Sequence, residues 1–107
     1  MSGAFGDMGN LLKQAQRLQR ELEKAREEVR QARVTGTAGG GAVSVEADGE
    51  GAPVAVRIRP EVLAGAAPAM LEDLVLTAAR DAFARATTLR EERMSRVSGG
   101  LNLPGIL

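Results

Sequence analysis

From Met8 to Ala32 the apolar side chains fall at Met8, Leu11, Ala15, Leu18, Leu22, Ala25, Val29 and Ala32, in steps of 3, 4, 3, 4, 3, 4 and 3 residues. Steps of this kind average about 3.5 residues, close to one helical turn, so these positions form one narrow stripe along a helix. No proline interrupts the stretch, and after Gly9 no glycine appears until Gly36. The spacing predicts a long helix over residues 8–33 that lays its stripe on another helix. Alanine at several stripe positions predicts a close approach. Asp7 or Asn10 is placed to cap its start, and Val34-Thr35-Gly36 should end it.

Three short runs with a period of two follow, at residues 33–38, 42–47 and 54–59. Gly39-Gly40-Gly41 separates the first two, and the segment from Asp48 to Pro53 separates the second and third, spacings that suit antiparallel hairpins. In the third run Val54, Val56 and Ile58 share one face while Arg57 and Arg59 take the other, which predicts one dry and one wet side. Pro60 closes the run. Pro68 suits the first turn of a second long helix over residues 68–97, whose apolar face is broader than that of the first and fits a helix lying on a sheet. Gly99-Gly100 should end it, and the apolar, aperiodic tail of residues 98–107 is then either docked or mobile. The fold class expected is α+β, a single domain over residues 1–107 in the order α-β-β-β-α, with a three-stranded antiparallel meander and two long helices.

Large apolar side chains are scarce in this framework. Of 47 apolar residues 18 are Ala and only 2 are Phe, so each buries little area and a chain of this size has a thin core. Association with a second copy is expected. Cys and His are both absent, which removes disulfides, thiolate nucleophiles, the commonest general base and the commonest transition-metal ligands. The carboxylates lie among Arg and Lys at helical spacing, without the crowding that splits a catalytic pair. The glycine run lacks the Lys-Ser/Thr of a phosphate loop and leads into no helix. We expect no enzyme, metal, cofactor or small-molecule substrate. No stretch is apolar enough to span a membrane and the first residues do not resemble a signal peptide, so no membrane partner and a cytoplasmic location are expected.

Charge is balanced overall, with 14 basic and 14 acidic residues, but it is not evenly spread. Residues 8–33 hold seven basic and four acidic side chains. Lys13, Arg17, Arg20 and Lys24 line up on the side of the helix opposite the apolar stripe. Such a row can meet phosphates, or it can be a solvated surface laced by Arg20–Glu23, Lys24–Glu27 and Lys24–Glu28 pairs. With neither Trp nor Tyr in the chain, base stacking on a single strand is disfavoured.

Four segments taken together carry a resemblance: Gly9-Asn10-Leu11-Leu12-Lys13-Gln14-Ala15-Gln16, Val34-Thr35-Gly36 with the glycine run, Met70-Leu71-Glu72-Asp73-Leu74, and Val97-Ser98-Gly99-Gly100-Leu101-Asn102-Leu103-Pro104-Gly105. In this order, over nearly the whole chain, they resemble the YbaB/EbfC family of bacterial nucleoid-associated proteins. The resemblance implies a cytoplasmic, nucleoid-located, tweezer-like homodimer that binds double-stranded DNA through helical arms with weak sequence selectivity, and that acts on nucleoid organisation and gene expression. Carried onto this chain, the DNA-binding residues are Lys13, Arg17, Arg20 and Lys24, with Arg90, Arg93 and Arg96 on the second helix. The alternative is a coiled-coil module that docks another protein through its heptad stripe or its apolar tail.

Overall fold

The computed structural model describes residues 2–101. The elements run α1 (Ser2–Gln31), β1 (Arg33–Ala38), β2 (Val43–Asp48), β3 (Pro53–Ile58), α2 (Pro60–Gly65) and α3 (Pro68–Leu101). The strands form one antiparallel sheet in the order β1-β2-β3. The expected α+β meander flanked by two long helices is therefore present, with one short helix added: Pro60, expected only to close the third strand, also opens α2 as its first residue.

Several boundaries differ from expectation for local reasons. α1 starts at Ser2, so Asp7 and Asn10 lie within the helix and neither caps it. It stops at Gln31, where the Val29 carbonyl accepts the Gly49 N–H from the β2–β3 turn at 3.0 Å. β3 begins at Pro53, which an edge strand tolerates because its missing N–H costs no ladder bond on the open side. α3 runs through Gly99 and Gly100 to Leu101. Glycine costs a helix interior only about 1 kcal/mol each, and no proline follows until Pro104. Of the tail expected at 98–107, residues 98–101 are helical and the rest lies outside the described residues.

Both turns of the meander rest on backbone that side chains disfavour. Gly39, Gly40 and Gly41 all have positive φ, between 62° and 91°, which glycine adopts without a Cβ penalty. The run is a hairpin turn, closed by Ala42 N–H donating to Gly39 O at 3.3 Å. In the second turn the Asp48 carboxylate accepts the N–H groups of Glu50 at 2.9 Å and Ala52 at 3.0 Å, an Asx-type closure.

The core lies between α3 and the sheet and is made of small residues. Ala78, Ala82 and Ala86 of α3 are fully buried, as are Val43, Val45 and Ala47 of β2. A Cβ on Gly36 of β1 would overlap the backbone of Ala78 and Ala82, so helix and strand are in direct backbone contact there. Val43 and Val45 are the largest fully buried side chains, which matches the thin core expected from the alanine count. α3 packs on β1 and β2, and β3 is left at the margin. Val56 pairs with Val45 on the helix-facing side, yet it is 51% exposed and Val54 is 49% exposed. The face expected to be dry is dry on two strands only.

Asp81 of α3 anchors the other edge of the sheet. Its Oδ2 accepts the Thr37 N–H at 3.0 Å and Arg85 Nε–H at 3.2 Å. The Thr37 N–H first, and Arg85 with it, hold the Asp81 carboxyl below its usual pKa against a partial opposing effect of burial. A depressed folded pKa contributes stability that is present above the unfolded value, about 3.9, and is lost as pH falls through the lower folded value. We expect Asp81→Asn to lower the urea midpoint at pH 7, and the gap to wild type to narrow at pH 3. An equal gap at both pH values would show that the charge of Asp81 contributes nothing.

Beyond the core the molecule is drawn out. Its radius of gyration is 21.2 Å and its extents are 79 × 23 × 16 Å, whereas a compact domain of this length has a radius of gyration near about 13 Å. The excess comes from α1 and α3, which run antiparallel away from the sheet as an arm.

Candidate nucleic-acid interface

The arm is held together by a few long-range bonds at its base. Arg93 Nη1 donates to Glu28 Oε2 at 3.1 Å, linking α3 to α1. Arg90 Nη1 donates to the Glu50 carbonyl at 2.8 Å, and its Nη2 to Thr87 Oγ1 at 3.1 Å, which ties α3 to the β2–β3 turn. Ala25 and Val29 of the stripe are buried in the interior of the arm, and Leu22 and Leu18 are half-buried. Further out, α1 packs against no other element among the described residues.

Lys13, Arg17, Arg20 and Lys24 are all exposed on α1. From Lys13 to Lys24 the row is about 16 Å long at ~1.5 Å per residue. Among the described residues none of the four has a carboxylate within ion-pair distance. Two of the acids within helical reach of Lys24 are engaged elsewhere. Glu27 accepts Arg30 Nε–H at 3.0 Å and Gln31 Nε2–H at 3.1 Å, and the bond from Arg30 is the main cause that holds its pKa below the usual carboxylate value. Glu28 accepts Arg93. Sequence spacing left phosphate contact and internal pairing both open for this row, and the packing removes two of the three pairing partners.

The three α3 candidates sit differently. Arg90 and Arg93 are half-buried and bonded within the chain as described. Arg96 is exposed and lines a shallow crevice between the helices with Glu21, Lys24, Ala25, Glu28, Arg93 and Val97. The crevice is mixed in charge and Lys24 lies on its rim, whereas Lys13, Arg17 and Arg20 are exposed further along α1 with Glu23 beside Arg20. Sequence spacing did not show the Glu28–Arg93 and Arg90–Glu50 links, because they join residues 65 and 40 positions apart.

The wet side of the sheet offers less. Glu46 lies between Arg33 and Arg57, with Arg57 Nη1 at 3.5 Å and Arg33 Nε at 3.9 Å, so two of the cations there share a carboxylate. Among the described residues no group of three or more His, Cys, Asp or Glu is placed to hold a metal ion, and no helix is long and apolar enough to cross a membrane.

Comparison with known proteins gives the family. Residues 5–101 match the model of the YbaB/EbfC DNA-binding family. A nucleoid-associated protein of Clostridium kluyveri is 40% identical over 104 residues, covering 97% of this chain and 91% of that protein. One from Caldanaerobacter subterraneus is also 40% identical, covering 97% of this chain and 93% of that protein. The crystal structure of an uncharacterized protein from Helicobacter pylori shares the fold with a TM-score of 0.63 at 23% identity, over 89% of this chain and 94% of that one. These matches give no support to a coiled-coil docking module and accord with a protein that is not an enzyme. A family match over nearly the whole chain, relatives at this identity and a shared fold place the chain in the YbaB/EbfC DNA-binding family.

Proposed function

We propose that this protein is a nucleoid-associated protein that binds double-stranded DNA as a homodimer, by phosphate contacts from the Lys13, Arg17, Arg20 and Lys24 row. The observation that carries the reading is that row: four exposed cations along a projecting helix, without ion-pair partners among the described residues, in a chain of this family. Each DNA strand carries one phosphate per about 3.4 Å of helix axis, so a row of ~16 Å faces a stretch of duplex that holds several of them. Contacts of this kind position a protein on a duplex and carry little sequence information. Arg96 borders the row across the crevice and adds to its field, while Arg90 and Arg93 serve chiefly to hold the arm in place. The location that goes with this role is the nucleoid, in the cytoplasm.

The dimer follows from the uncovered apolar side of the body. Val54 and Val56 of β3 are half exposed, and Leu76 and Phe83 of α3 are 48% and 39% exposed. Ile58, Leu71, Val75, Leu76 and Ala79 line one continuous apolar depression beside them. A patch of this sort on a small domain marks an interaction surface, and a second copy supplies the same apolar surface in a self-complementary way. Two arms would then leave one body, each with its basic row. Val56→Glu should convert the protein from dimer to monomer in analytical ultracentrifugation while its circular dichroism is unchanged. A Val56→Glu protein that sediments as a dimer would move the interface elsewhere.

Binding itself is tested by titrating two 30-base-pair duplexes of unrelated sequence at low salt. Comparable affinity for both is expected. A shift of neither duplex would overturn the reading.

A further inference from the structure

The two edges of the sheet are finished differently. Along β1 the outward Thr37 N–H is taken by the Asp81 carboxylate at 3.0 Å, and α3 packs over the strand. Along β3 the backbone has no such cover. Arg59 N–H donates to Ala42 O at 2.9 Å, and the register sets Arg57 against Ser44 and Ala55 against Glu46. In an antiparallel ladder alternate residues turn both N–H and C=O to the same neighbour. Ala55, Arg57 and Arg59 therefore bond to β2, and Val56 and Ile58 turn their N–H and C=O groups outward. Among the described residues no backbone group outside the sheet bonds to Val56 or Ile58. A bare edge of this kind is a template for another strand.

We propose that β3 pairs antiparallel with β3 of a second copy about a two-fold axis at Val56, so that two three-stranded sheets become one continuous sheet. This rests on the homodimer proposed above and specifies how its halves join. A two-fold axis makes the strand its own complement, and the residues choose the register. With Arg57 on the axis two guanidiniums would face each other directly, which is destabilising. With Ala55 on the axis Pro53, which has no N–H to offer, enters the pairing and Ile58 leaves it. With Val56 on the axis residues 54–58 pair over their full length, Val54 opposite the partner's Ile58 and Ala55 opposite the partner's Arg57. Both faces suit this register. On the helix side the Val56 side chain, 51% exposed, meets its own copy, and Ile58 carries the strip into the apolar depression with Leu71 and Val75. On the wet side Glu46, Ala55 and the partner's Arg57 stand in one row across the sheet. The short Ala55 side chain leaves the Glu46 carboxylate, 3.5 Å from Arg57 of its own chain, open to a second guanidinium.

The test needs only the full-length wild-type protein. Isotope-labelled and unlabelled chains are mixed unfolded, refolded together, and examined by NMR filtered for contacts between chains. A contact between the α-protons of Ala55 and the partner's Arg57 is expected, because facing residues of a non-hydrogen-bonded pair bring their Cα atoms to about 4.5 Å. The Val56 and Ile58 amides should exchange with solvent at least about 100-fold more slowly than in an unstructured chain. A protein that sediments as a dimer but lacks this contact and exchanges both amides freely would overturn the strand pairing and leave the apolar-face dimer in place. A contact between Arg57 and the partner's Arg57 would overturn the register. A protein that sediments as a monomer would overturn the dimer itself, and the pairing with it.

Discussion

Replacing Lys13, Arg17, Arg20 and Lys24 together with Gln should leave the circular dichroism spectrum intact and reduce duplex affinity by at least about 10³-fold near 0.1 M salt. The four side chains are exposed and make no ion pair among the described residues, so their charge is not holding the fold. Glutamine has nearly the helix propensity of Lys and Arg, so α1 keeps its local preference. A dimer presents two rows, or eight cations, and each neutralised phosphate releases close to one counterion. Removing the rows removes most of that entropy gain. A smaller and uniform loss on separate replacement of Arg96 is expected, since it borders the row without belonging to it. An affinity unchanged by the fourfold replacement would place the site on another surface.

The largest effect on stability is expected at Gly36. Gly36→Val puts a residue with high strand propensity into a strand, and by propensity alone it should help. The packing decides otherwise, because the first carbon of any side chain there would overlap the backbone of Ala78 and Ala82. Relief requires lifting α3 off β1, which opens the contacts of Ala78, Ala82, Val43 and Val45. We expect a loss of more than about 4 kcal/mol, a value reached only by severe core disruption. At roughly 4–8 °C per kcal/mol for a domain of this size, the thermal midpoint should fall by about 16 °C or more, or the chain should fail to fold. A melt by circular dichroism within a few degrees of wild type would mean that helix and strand are not in direct contact at Gly36.

The contrast at Gly36 shows what the sequence carries and what it does not. Periodicity is a local property, so the heptad of α1, the alternation of β2 and the turn at Gly39-Gly40-Gly41 could all be read from neighbours. Element ends were less legible wherever a distant group decides them. α1 stops where Gly49 reaches Val29, and no local pattern announces that. α3 passes through Gly99 and Gly100, whose cost to a helix interior is small. The dry side of β3 was read correctly as apolar, but the path of α3 over the other two strands, which leaves Val54 and Val56 open, depends on tertiary packing. At the candidate site the row of four cations was visible as helical spacing. Whether acids quench it was not, since the fates of Glu27 and Glu28 depend on rotamers and on Arg93, 65 residues away from Glu28.

The most direct measurement is the salt dependence of duplex affinity, taken from about 50 to 200 mM salt for the wild-type dimer and for the fourfold Gln protein. Eight phosphate contacts at about −0.9 each give a slope near −7 in log affinity against log salt, a loss of roughly 10⁴-fold over that range. The Gln protein should bind weakly with a slope near zero. A wild-type slope that is itself near zero, or the same steep slope in both proteins, would contradict DNA binding through the row of Lys13, Arg17, Arg20 and Lys24.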